Sequence, residues 1–190
     1  MKILVLDLET TGLTKKDVVV EIGLILVDTE TKKIEVVFDE IVRHEDFNKK
    51  LHKDGWIFQF SDLTVKEVMA AEPLDKYKPE IQALLDEYVI TAFNKAFDLR
   101  HFKALGFTYK EIKCLMHSST QYCNLKNKRG HKKPPSVQEA YDIFFPDEDY
   151  IETHRAGDDA LHEGKILLRL CELKEEAEKK HGKQQTLNFG

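Results

Sequence analysis

The sequence predicts a mixed α/β domain, and three observations carry that reading. Ile3-Leu4-Val5-Leu6 opens an apolar run of the kind found in a buried central strand. Two further β-rich segments follow, separated by polar turns. Far along the chain, Ala160, Ile166, Leu167, Leu170, Cys171 and Leu173 recur at helical spacing and suit a helix packed on a sheet. With 190 residues, one domain with a full core is the expectation.

The first strand sets the problem for the rest. Asp7 and Glu9 lie two residues apart in it, so their side chains share one face. Like charges on a buried face cost free energy unless a cation sits between them. A divalent cation with oxygen ligands meets that need. Thr10-Thr11-Gly12-Leu13 then reads as a sharp turn whose backbone N–H groups face a ligand near the acids.

Thr14 to Asp17 continues the turn, and Val18 to Asp28 reads as a second strand. Thr29 to Lys33 is a hairpin turn, and Ile34 to Val42 returns as a third strand, giving an antiparallel meander. Glu21, inside the second strand, reads as a structural acid. Trp56, Phe58 and Phe60 alternate, as in a strand or a core-facing loop. Thr64 with Glu67 forms a capping box for a short helix. Leu74, Tyr77, Ile81, Leu84 and Leu85 mark the next helix, and Val89 to Phe93 a short strand.

Asn94 to Phe102 reads as a turn entering a helix that Gly106 stops. Asp98, in its first turn, is either a helix-dipole acid or a third site carboxylate at a strand's carboxyl end. Lys110 to Cys114 is expected as another short strand, Cys114 to Leu125 and Ser136 to Phe145 as helices. Between them, Lys126, Lys128, Arg129, His131, Lys132 and Lys133 form the densest basic segment, a solvated loop or a phosphate contact. Cys114, His117, Cys123 and His131 match no zinc spacing. His154 stands five residues before Asp159 at the start of the long final helix, where the two can share one cleft.

Composition bounds the class. An apolar share of 42%, a charged share of 33% and a net charge of −5 describe an ordinary globular protein. No apolar stretch reaches membrane-span length, so no membrane partner is expected. A strand begins almost at once, leaving no room for a signal peptide. Three cysteines read as free thiols in a reducing compartment, the cytoplasm.

Four acids, Asp7, Glu9, Asp98 and Asp159, can converge on two divalent cations, with Mg²⁺ the hard-oxygen choice and Mn²⁺ a substitute. Paired cations serve in-line displacement at phosphorus: one helps make hydroxide from water, the other stabilises the departing 3′ oxygen. His154 would take the proton of the attacking water.

Three segments resemble the DEDD exonuclease superfamily in its histidine subtype, which includes the proofreading subunit of bacterial replicative polymerase, ribonuclease T and the three-prime repair exonucleases. Asp7-Leu8-Glu9-Thr10-Thr11-Gly12-Leu13 resembles the first motif. Asn94-Lys95-Ala96-Phe97-Asp98 resembles the second, with Phe93 where family members often carry histidine. His154-Arg155-Ala156-Gly157-Asp158-Asp159-Ala160 resembles the third, and Asp158 is read as an exposed neighbour. The order is the family's, and the resemblance spans roughly residues 1 to 175.

The resemblance implies a ribonuclease-H-like fold with a mixed five-stranded sheet and helices on both faces. It implies 3′→5′ exonucleolysis releasing nucleoside 5′-monophosphates, on DNA or, alternatively, in RNA trimming or polymerase-associated proofreading. It makes Asp7, Glu9, Asp98 and Asp159 the metal ligands and His154 the base. Thr10, Thr11, Leu13 and Asn94 would contact the terminal nucleotide of a strand with a free 3′ end. Residues 1–180 form the domain, and 181–190 a flexible tail whose Lys183 to Phe189 resembles a sliding-clamp-binding peptide.

Overall fold

A computed structural model describes residues 1–14 and 16–187, with side chains up to residue 180. Three strands, β1 (Lys2–Thr10), β2 (Val19–Asp28) and β3 (Lys33–Ile41), form the expected antiparallel meander. A short strand, β4 (Val89–Thr91), adds parallel to the other edge of β1, giving the order β3-β2-β1-β4. Helices cover both faces.

Alternation along β1 divides the core. Leu4, Leu6 and Leu8 pack with α4 (Lys78–Glu87) and α5 (Lys95–Ala104) on one side. Ile3 and Val5 pack with α6 (Leu115–Cys123), α7 (Val137–Phe144) and α8 (Ala156–Leu187) on the other. Asp7 and Glu9 continue the odd-numbered face, so both carboxylates emerge beside α8.

The sheet has four strands, not the five expected. The Lys110–Cys114 segment does run beside β4, but only Glu111 makes a bridge, to Ile90. The Ile90 amide bonds Lys110 O and the Ile112 amide bonds Ile90 O. Beyond that point side chains take over the carbonyls. Lys95 Nζ donates to Ile112 O at 2.7 Å, and Thr91 Oγ1 to Lys113 O at 3.0 Å. A ladder whose acceptors are already engaged stops after one bridge.

Trp56, Phe58 and Phe60 are not on a strand. Ile57–Phe60 forms a single-turn helix, α2, which follows the equally short α1 (Lys49–His52). The alternation does not mark the core: Ile57 is the buried residue, whereas Trp56 and Phe60 are exposed and stack with ring centroids 4.9 Å apart. The capping box Thr64/Glu67 opens α3 (Val65–Ala70), and a second one, Ser136/Glu139, opens α7.

The N-terminus of α8 lies against β2, and two glycines allow it. A Cβ on Gly23 would stand 2.2 Å from the Ala156 carbonyl oxygen, and one on Gly157 would overlap the Asp39 carboxylate. Glu21, buried and directly opposite Glu9 in the β1–β2 register, faces the same junction. Arg155 grips it, with Nη2 to Oε1 at 2.6 Å and Nε at 3.0 Å, while the Ala156 N–H donates to Oε2 at 3.1 Å. Glu21 is thus the structural acid the sequence indicated, and its ion pair fixes where α8 begins.

Among the described residues the three cysteines are free thiols, and no helix is long and apolar enough to cross a membrane. The α8 backbone continues to Leu187, past the expected stop near residue 180. The side chains expected to dock on a sliding clamp, Leu187 and Phe189, lie outside what is described.

Candidate active site

The carboxyl ends of the parallel pair β1 and β4 open into one cleft of about 230 Å³. From β1 it receives Asp7, Glu9 and Thr10, and from the following turn Gly12 and Leu13. The β4–α5 connection contributes Phe93, Asn94, Phe97 and Asp98, and α8 with its approach contributes Glu152, His154, Asp159 and Glu163. Trp56 and Val137 complete the rim.

Among the described residues, six carboxylates line this cleft and no Lys or Arg does. The effect on the acids is large. Burial and the neighbouring charges of Glu9, Glu163, Asp98 and Asp159 hold the Asp7 carboxyl well above its ordinary range. Glu9 is pushed up to about 9, first by burial, then by Asp159 and Glu21. Burial likewise raises Asp98, opposed by the main-chain N–H groups of Leu8 and of Asp98 itself. Asp159 is raised by burial, against the pull of the Tyr150 hydroxyl and the Thr153 N–H, which donate to its Oδ1 at 2.9 and 3.3 Å. Such a cluster is the donor set of a hard divalent cation. The residues present therefore fit a metal centre.

Glu9, His154 and Asp159 each offer a ligand atom within 4.8 Å of the others. This trio differs from the four-acid set expected from sequence: it includes His154, and Asp7 and Asp98 stand around it. His154 is held in a left-handed backbone conformation, φ 55°. Its ring meets the Trp56 indole edge-on at 4.7 Å, and its Nδ1 lies 3.9 Å from Glu152.

The turn after β1 is braced from both sides. Thr10 Oγ1 donates to Gly12 O at 2.7 Å. Arg100 donates to Leu13 O at 3.0 Å while lying over the Phe97 ring, and Leu13 itself projects into solvent, 76% exposed. Asn94 caps α5 with φ 51° and faces the cleft. Thr11 does not line it. Its hydroxyl donates to Asp17 at 3.1 Å and accepts the Val18 N–H at 3.1 Å, closing the turn from behind. Asp158 also points elsewhere, partly exposed and accepting from Thr153 Oγ1 at 2.8 Å.

Glu163, Glu152 and Trp56 line the cleft but were not among the site residues expected from sequence. Glu163 is one helical turn beyond Asp159, so i,i+4 spacing was a usable signal. Glu152 precedes His154 by two in a segment without regular structure. Trp56 arrives from a distant loop, pinned by its N–H to Thr11 O at 3.0 Å. Nothing local foretold it.

A mixed sheet with an acid-lined cleft at its parallel strand ends defines a ribonuclease-H-like hydrolase. The chain matches the family described as Exonuclease (RNase_T) over residues 4–167, and it belongs to that family. No curated protein matches it by sequence. Solved structures agree in fold. A 3′-exonuclease in a structure of histone mRNA stem-loop recognition is 16% identical with a TM-score of 0.66, over 90% of this chain and 81% of that one. The nuclease domain of 3′hExo, described as a DEDDh family member bound to rAMP, is 16% identical with a TM-score of 0.63, over 90% and 92%. E. coli exonuclease I with a dA16 oligonucleotide is 14% identical with a TM-score of 0.63, covering 89% of this chain and 40% of that one.

Proposed function

We propose that this exonuclease works 3′→5′, removing nucleoside 5′-monophosphates one at a time from a single strand with a free 3′ end. The convergence of Asp7, Glu9, Asp98 and Asp159 with His154 on one cleft carries the reading. Two divalent cations, Mg²⁺ or Mn²⁺, would be held by these four acids and would supply Lewis acidity at the scissile phosphate.

The chain's own residues do the rest. His154 takes the proton of the attacking water, and the Trp56 indole meets its ring edge-on and fixes its plane. Tyr150 and the Thr153 N–H hold Asp159 in place from behind. Leu13 and Asn94 meet the terminal nucleotide, and Thr10 sets the turn that presents Leu13. The acid-rich floor repels a phosphodiester in the absence of cations, so the strand is bound productively only with metal present.

Relatives of the same fold appear with an RNA stem-loop and with a DNA oligonucleotide, so both sugars are tested. The experiment is Mn²⁺- or Mg²⁺-dependent digestion of 5′-labelled single-stranded DNA and RNA, with DNA the first substrate. A ladder of 3′-shortened products with mononucleotide release is expected. Products shortened from the labelled end, or no metal-dependent digestion of either polymer, would overturn the proposal.

A further inference from the structure

We propose that the hairpin between α6 and α7 is a phosphate-contacting arm, which grips the substrate strand several nucleotides 5′ of the residue being removed. This inference rests on the exonuclease reading above.

The arm is a built structure. Asn124 ends α6 in the left-handed region, φ 50°. Lys126 and Lys132 then form an antiparallel bridge, flanked by Lys133 N–H to Leu125 O at 3.0 Å and Asn127 N–H to His131 O at 2.8 Å. The Asn127 carboxamide oxygen accepts the N–H groups of both Arg129 and His131, at 2.9 and 3.1 Å. Gly130, at φ 78°, completes the bend. These bonds order the bend, and its charged side chains lie exposed.

What it presents is positive charge without a partner. Lys126, Lys128, Arg129 and Lys132 are exposed, and among the described residues none has a carboxylate within ion-pair distance. Lys133 is the contrast: Glu139 of α7 holds its ammonium, with one contact at 2.8 Å, and this ties the base of the arm to the fold. In a chain of net charge −5, four free cations on one ordered hairpin form a local field of opposite sign.

The arm also stands in the right place. Val137, first residue of α7, lines the cleft, and it follows Lys133 by four residues. Four residues span at most about 14 Å. At a rise of about 3.4 Å per nucleotide in a stacked strand, the base of the arm lies within roughly four nucleotides of the cleft, and its tip at Lys128 and Arg129 lies further along the hairpin. Among the described residues the acid floor offers the polyanion no Lys or Arg. Cations set back from the chemistry grip the strand and leave the metal site free to act. A substrate too short to span that distance does not reach them.

The test neutralises Lys126, Lys128, Arg129 and Lys132 to Gln together, leaving Asn127 and Gly130 to keep the bend. Anisotropy with Ca²⁺ measures binding of labelled single-stranded dT3 and dT20 at several salt concentrations, and Mg²⁺-dependent digestion of both is followed in parallel. We expect dT20 affinity to fall at least tenfold, the slope of log K against log salt to flatten by up to about 2.8 units, and dT3 to be handled as by wild type. Unchanged dT20 affinity and slope would overturn the arm, whatever the digestion shows. If wild type binds dT20 through the arm yet digests neither strand, the arm stands and the exonuclease proposal fails.

Discussion

The Glu163 carboxylate accepts the main-chain N–H of Phe93 at 3.0 Å. This bond ties α8, which carries Asp159, to the turn at Asn94 that opens α5, whose first turn carries Asp98. Glu163 is only 2% exposed, and it sits among acids that repel it. Its replacement separates two roles. Glu163→Ala leaves a buried N–H unpaired and is expected to lower stability by about 1–3 kcal/mol in a urea unfolding curve. Glu163→Gln keeps an acceptor and removes a charge, so its metal-free form should melt no lower than wild type.

Metal-free stability should depend on pH in a direction opposite to that of most salt-bridged acids. Glu9 ordinarily titrates near 4.5 and in this fold near 9. Between those values the folded chain holds a proton that the unfolded chain has lost, so stability falls as pH rises. The contribution is complete below about 4.5 and is lost as pH passes about 9. Melting temperatures in EDTA should decline across that window. Added Mn²⁺ should restore them most at the alkaline end, because a cation favours the ionised cluster.

Asp7→Asn removes one member of the acid cluster without changing its shape. Digestion should fall by roughly 10³-fold or more, since several kcal/mol of charge stabilisation depend on the metal set. The same variant should melt higher than wild type in EDTA, because the repulsion from Glu9, Glu163, Asp98 and Asp159 is relieved. Loss of activity with a lowered metal-free melting temperature would contradict this account.

His154→Ala should slow turnover by roughly 10²–10⁴-fold with binding of Mn²⁺ retained, since the four acids are the proposed ligands. Calorimetric titration with Mn²⁺ checks the binding. Trp56→Ala should reduce turnover less, through loss of the edge contact that holds the ring.

Arg155→Ala strands Glu21, whose side chain is 2% exposed, opposite Glu9. Arg155 is partly exposed and the Ala156 N–H still reaches Glu21, so leaving this buried carboxylate short of partners is expected to cost about 1–3 kcal/mol. Chemical denaturation should show it. Activity should also drop, because Ala156 and Gly157 then lose the anchor that sets Asp159 against β1.

The sequence by itself determined the meander, the Thr64/Glu67 capping box and the shared face of Asp7 and Glu9 on β1. Those features rest on short-range rules: side chains alternate along a strand, Ser or Thr caps a helix three residues before Glu, and β-branched runs extend. It did not determine the edge of the sheet, where Lys95 and Thr91 compete for carbonyls and stop a fifth strand at one bridge. Nor did it place Trp56 beside His154, turn Thr11 away from the cleft, or bring Glu163 beneath Phe93. Those outcomes depend on how closely α8 approaches β2 at Gly23 and Gly157 and on where a loop some 45 residues downstream of β1 meets its turn. Contacts between segments distant in the chain are decided by the packing of the whole core, and no local pattern encodes them.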